Sequence, residues 1–362
     1  MSTQFTPAPL APVAPFAATP EVERPPSIGA RLRSRSAAAS LIIPIVVLGL
    51  LLKTVAGLDF GELVRGVASA SLLPLVGAVL IFYAVFPLRG WRWAQLLHGA
   101  GIALPVRDAI EILSLSWFTN CVVPARLGDV YRAWLLRQTK VGSGISGLAT
   151  VVVERGLDLV ASAGLALAAG LWLSHSGSTA LGDGVIGNLT NISAVLFVLC
   201  IAALVLIIGV HDRLLALVPL PERMRAGADH FFEGLRCLNR HNFIPVVVST
   251  LVSWGFEVAR LALVISALHL AGVNLSAAAI VFVAMVASLL AAIPLTPAGL
   301  GLVEAGVIGL LVSAFGVPAQ SAAAIALLDR AISTYSVMAS GAVLYLVSSK
   351  TRPDRRVRAA HA

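Results

Sequence analysis

Asp129 and Glu304 are each followed, 25 positions later, by a second acid with an arginine attached, Glu154-Arg155 and Asp329-Arg330. The leading acids come after similar words, Pro124-Ala125-Arg126-Leu127-Gly128 and Pro297-Ala298-Gly299-Leu300-Gly301, and both trailing pairs sit inside long apolar runs. Ionised groups are costly in such surroundings and mark pathways or binding sites when they occur. The chemistry open to them is recognition of a charged group: arginines can hold a phosphate through forked hydrogen bonds, and carboxylates can receive an amine or a proton. Glu154 and Asp158 are four apart and so share a helical face, while Arg155 precedes Asp158 by three, a spacing that Glu257 and Arg260 repeat. Arg126, Asp129 and Arg132 also recur at intervals of three, near Asn120. Gly128, Gly299 and Gly301 would allow close backbone approach, and a helix starting just after either proline would turn its free N–H groups toward an anion. The competing reading is that acids and arginines neutralise one another as polar glue between helices. The five acids Glu154, Asp158, Glu257, Glu304 and Asp329 outnumber Arg155, Arg260 and Arg330, which favours a polar pathway.

The elements that must carry these residues are membrane helices. Of 362 residues, 58% are hydrophobic and 12% charged, with mean hydropathy +0.91, far from the roughly one quarter charged of soluble domains. Six segments meet the roughly 20-residue length of a span: Leu41 to Leu58, Leu72 to Leu88, Ile145 to Leu173, Leu189 to Val210, Ile244 to Leu270 and Ser321 to Val347. Ala109 to Val123, Ala278 to Ile293 and Leu302 to Gly316 are shorter and read as arms of re-entrant hairpins. The expected fold is an all-α polytopic membrane protein of six full spans and two re-entrant helical hairpins, arranged as inverted-topology repeats over about 41–173 and 189–347. A plain bundle of eight or nine spans is the alternative.

Charge distribution orients this scheme. Twenty-one of the 26 lysines and arginines fall in five segments, the N-terminal tail, 89–107, 126–140, 213–240 and the C-terminal tail. Basic loops are retained on the cytoplasmic side, so both termini are expected there in a cell membrane, with the first hairpin entering from inside and the second from outside. Residues 1–40 read as a disordered basic tail and 348–362 as another short basic tail. The net charge of +8 thus follows topology and does not indicate nucleic acid. Cys121, Cys200 and Cys237 are too few and scattered for a disulfide framework, and the seven histidines form no metal cluster. There is no Gly-x-x-x-x-Gly-Lys-[Ser/Thr] loop, so neither cofactor nor built-in ATPase is expected. Trp91, Trp93, Trp117 and Trp134 read as interfacial anchors.

The ordered series Asn120-x-x-x-Pro124-x-Arg126-x-Gly128-Asp129-x-x-Arg132, Val153-Glu154-Arg155-x-x-Asp158 and Pro297-x-Gly299-x-Gly301-x-x-Glu304 resembles the flippase-like family that shares the transmembrane region of lysylphosphatidylglycerol synthases. The likeness runs from about Leu41 to Val347, and the soluble aminoacyl-transferase domain of full synthases is missing from the sequence. It implies a noncatalytic translocase moving an anionic or aminoacylated phospholipid, or a polyprenyl-linked glycan, between leaflets. Arg126, Arg155 and Arg330 would then contact phosphate, and Asp129, Glu154, Asp158, Glu304 and Asp329 cationic head groups or protons. Rival expectations are an intramembrane transferase using Asp129 or Glu154 as base, and a noncatalytic partner of a separate synthase or glycosyltransferase.

Overall fold

A computed structural model describes residues 60–123, 125–176, 183–209, 227, 230–232, 234–270 and 273–351. The expected first span Leu41 to Leu58, the N-terminal tail, Pro124 and most of the C-terminal tail lie outside the described residues. Among the described residues every regular element is helical: α1 (Phe60–Ala68), α2 (Leu72–Gly99), α3 (Val106–Val122), α4 (Leu127–Gln138), α5 (Gly144–His175), α6 (Asp183–Gly209), α7 (Phe243–Ala267), α8 (Ala277–Ala292), α9 (Leu302–Phe315), α10 (Ala319–Arg330) and α11 (Ser336–Val347). Six helical stretches are long and apolar enough to cross a membrane. Five match expected spans; the sixth, Pro297–Phe315, is α9 joined through its preceding kinked turn.

The surface explains the composition. Large apolar side chains such as Leu72, Leu73, Leu80, Val198 and Val205 point outward, while Arg92, Arg132, Glu154 and Glu304 are buried. That arrangement suits lipid outside, because an apolar solvent imposes no cost on exposed leucine and a heavy one on an exposed charge.

The helix α2 corrects one expectation. The apolar stretch ending at Leu88 continues as helix to Gly99, through an internal Pro87, so Arg89 and Arg92 are not in a cytoplasmic loop but inside the bundle. Two of the three basic residues assigned to 89–107 therefore carry no topological information. Trp93 is likewise fully buried, not an interfacial anchor.

The two short-helix pairs form where expected. The helix α3 spans 17 residues, about 25 Å, and α4 12 residues, about 18 Å; α8 and α9 span 16 and 14 residues. Both connections bend through left-handed backbone: Ala125 and Arg126 at φ 62° and 52° in the first, Ala298, Gly299 and Gly301 at φ 50°, 71° and 83° in the second. Packing between the halves is reciprocal. The long helices α2 and α7 lie against each other, α8 packs on α5, and α3 packs on α11.

The helices α10 and α11 form one continuous rod, interrupted only by a π turn at Ala331–Tyr335, directly after Asp329-Arg330. Below the rod, Lys350 folds back between Asp108 and Glu111 at the start of α3, and Ser348 donates to Glu111.

Candidate functional site

The polar interior is built from two matching sets of ion pairs. In the first, Arg155 on α5 forks onto Asp129 in the first turn of α4, Nε to Oδ2 at 3.1 Å and Nη2 to Oδ1 at 2.9 Å. In the second, Arg330 on α10 donates from Nε to Glu304 in the first turn of α9 at 2.9 Å, and from Nη2 to the carbonyl of Ala298 at the preceding bend. The acid before each arginine turns to the long helix of its own half. Glu154 accepts from Arg92 on α2 at 3.1 Å, and Asp329 pairs with Arg260 on α7 at 3.0 Å. The repeated spacing in the sequence is thus a repeated contact: first-turn acid to arginine, neighbouring acid to long-helix arginine.

Side-chain donors and acceptors are then filled in unequally. Arg92 also clamps Asp158 through both Nη atoms, at 2.7 and 3.1 Å, and donates to Thr250. Arg132 donates to Glu154 at 2.8 Å while its guanidinium lies 3.8 Å from the centre of the Trp93 ring. Glu257 joins Arg260 at 2.9 Å and Arg89 at 3.5 Å. Arg89 itself is flanked by Trp117 and Trp254, at 5.0 and 5.4 Å from their ring centres. Glu304 closes its helix start by accepting from the Gly301 N–H at 2.7 Å.

The glycines serve these elements and not a ligand. A Cβ on Gly128 would stand 2.1 Å from the Ser116 carbonyl, because α4 begins pressed against α3, where Gly128 donates to Asn120 and accepts from Ser116. Gly299 and Gly301 supply the positive φ of the second bend.

A cavity of about 260 Å³ opens between α2, α3, α5, α7, α8, α9 and α10, reached by residues of both bends. Its charged lining comprises Arg89, Arg126, Arg155, Arg260 and Arg330 with Asp158, Glu257, Glu304 and Asp329. Of the residues singled out in the sequence, these eight apart from Arg89 meet at one place. Gly128, Asp129, Arg132, Glu154, Gly299 and Gly301 stand behind the lining. The sequence reading missed Arg89, Arg92, Trp117 and Trp254. A usable signal existed, since Arg89 and Arg92 are three apart after a long apolar run, the spacing that drew attention to Glu257 and Arg260.

Their recovery reverses the charge balance. Counting Arg89, Arg92, Arg126, Arg132, Arg155, Arg260 and Arg330 against Asp129, Glu154, Asp158, Glu257, Glu304 and Asp329, the network carries one excess cation, not excess acid. No group of three or more potential metal ligands occurs among the described residues. The arrangement can therefore bind a polar or charged group in an otherwise apolar bundle.

Comparison with known proteins supplies a context. The lysylphosphatidylglycerol synthase TM region matches residues 37–341. A UPF0104 membrane protein of Methanocaldococcus jannaschii is 31% identical over 232 residues, covering 64% of this chain and 94% of that protein. A UPF0104 membrane protein of Methanothermobacter thermautotrophicus is 27% identical over 302 residues, covering 78% and 85%. Glycosyltransferase AglD of Haloferax volcanii is 27% identical over 337 residues, which is 84% of this chain and 53% of AglD.

Proposed function

The chain belongs to the family of the lysylphosphatidylglycerol synthase TM region, and from that premise we propose that it is a noncatalytic lipid translocase. The observation that carries the reading is the charged cavity itself: nine ionisable side chains from six helices and a bend converge on one space inside a bundle whose outer surface is apolar. Ion pairs serving only as glue need no open volume between them. A head group that must cross hydrocarbon needs one, while its acyl chains remain in lipid. In this reading α3–α4 and α8–α9 are re-entrant hairpins of inverted repeats, entering from opposite faces of the cell membrane with both termini cytoplasmic. The substrate is an anionic or aminoacylated phospholipid or a polyprenyl-linked glycan, and the paired bends and the arginine-acid pairs flank its path.

Purified chain in liposomes is expected to accelerate leaflet exchange of a fluorescent phospholipid, and the Arg155→Gln and Glu154→Gln variants to slow it. Exchange no faster than in empty liposomes, across anionic, zwitterionic and aminoacylated lipids, rejects the proposal.

One observation favours a second reading. AglD is named a glycosyltransferase and the matched region is about half of it, which suits a membrane partner for a separate glycosyltransferase. Co-purification with such an enzyme, together with inert liposomes, would support that reading; product formation by the chain alone would instead make it a transferase.

A further inference from the structure

Resting on the translocase reading, we propose that the cavity selects a phosphate-bearing anion, met by Arg126, and discriminates against head groups of net positive charge. All six acids of the network already have arginine partners: Asp129 with Arg155, Glu154 with Arg92 and Arg132, Asp158 with Arg92, Glu257 with Arg89 and Arg260, Glu304 with Arg330, and Asp329 with Arg260. Arg126 lines the cavity and, among the described residues, makes no ion pair or hydrogen bond. It is half-buried, and its left-handed backbone at φ 52° follows Ala125 at φ 62°. Consecutive non-glycine residues in that region cost free energy and persist where the surrounding structure holds them.

Independent of Arg126, three buried donors on the same lining lack acceptors: Arg89 Nε, Arg260 Nε and Trp254 Nε1. Their side chains are more than nine-tenths buried, and buried donors are ordinarily satisfied. A phosphate offers acceptor oxygens to all of them and a charge to Arg126. An ammonium offers only donors, and it adds charge to a lining with one excess arginine. The carboxylate oxygen Asp329 Oδ1 also lacks a hydrogen bond, but Arg260 Nη1 stands 3.0 Å from it and compensates its charge.

The test uses the full chain in detergent, with binding measured by native mass spectrometry. The probes are short-chain phosphatidylglycerol, phosphatidylcholine, lysyl-phosphatidylglycerol and inorganic phosphate. Phosphatidylglycerol is expected to bind at least tenfold more tightly than the lysyl form. Arg126→Gln should weaken phosphatidylglycerol about tenfold, the scale of one charge-assisted hydrogen bond, Arg126→Lys should recover part, and Arg107→Gln on the exposed end of α3 should change nothing. Equal or tighter binding of the lysyl lipid overturns the proposal, as does an Arg126→Gln protein of unchanged thermal stability that binds phosphatidylglycerol like wild type. Arg126-dependent binding of inorganic phosphate, with no lipid preference and no leaflet exchange, keeps the anion site and rejects the translocase reading. Exchange that is equal for both lipids and indifferent to Arg126 does the reverse.

Discussion

Glu304 has no solvent exposure, and its carboxylate holds two things at once, the Arg330 guanidinium and the first free N–H of α9 at Gly301. Removing one member of a buried pair leaves the other uncompensated, at a cost of about 3–5 kcal/mol. Glu304→Gln should therefore destabilise the protein by that order in detergent unfolding, and adding Arg330→Met should restore much of the loss. A double variant no better than the single would show that the pairing is not the source. Residues such as Glu304 and Arg330 were legible in the sequence because a charge within an apolar run has few places to go. Arg89 and Arg92 were not, because they follow the end of their run among Gly90, Trp91 and Trp93, where local hydropathy reads as an interface. What buries them is α5 and α7, more than 60 residues distant along the chain. Partnership was equally hidden: spacing named the ions but gave no hint that Arg126 alone would lack a counter-ion.

Short helices depend on how closely they pair. The pressing of α4 onto α3 at Gly128 leaves no room for a methyl group, so Gly128→Ala is expected to lower the unfolding temperature sharply, while Gly66→Ala on α1, with nothing within 4 Å, should be near neutral. The arms themselves were well marked in the sequence, since Ala278 to Ile293 and Leu302 to Gly316 differ from α8 and α9 by a single residue at each shifted boundary. The end of α2 was not, because continuing helix there requires buried partners for its arginines. A second tie holds α3 from the other side, through Lys350. Burial opposes the charge of Lys350, but its hydrogen bonds with Asp108 and Glu111 outweigh this and raise its pKa above the ordinary lysine value. A raised pKa stabilises the folded state fully below the unfolded value, about 10.4. That contribution fades as pH climbs through the raised one. The difference in melting temperature between wild type and Lys350→Met should accordingly be constant from neutral pH to about 10 and shrink at more alkaline pH; a constant difference throughout would deny Lys350 this role.

At the scale of the molecule, the decisive property is whether the central space holds water. Cys121 is buried and lines that space, whereas Cys200 lies on α6 and Cys237 is enclosed elsewhere. In a Cys200→Ala, Cys237→Ala background, Cys121 is expected to react with a small methanethiosulfonate in folded protein and to be shielded by bound lipid. No modification until unfolding would argue for a dry interior. The helical class and the number of long apolar segments were plain from composition and run length, but convergence of two bends on one space was not, because it follows from the reciprocal packing of α8 on α5 and α3 on α11. The π turn at Ala331–Tyr335 adds a constraint of its own. A wide turn accommodates one more residue than the regular helix around it, so deleting a single residue there would rewind the rod as ordinary α-helix and rotate everything beyond by about 100°. Ser336 and Ser340 would swing away from the Tyr83 hydroxyl, now 3.0 and 3.1 Å distant, and Lys350 from its two acids. The phase of the last twenty residues is thereby indexed to one surplus peptide unit, and length changes in that rod should be tolerated only in compensating pairs.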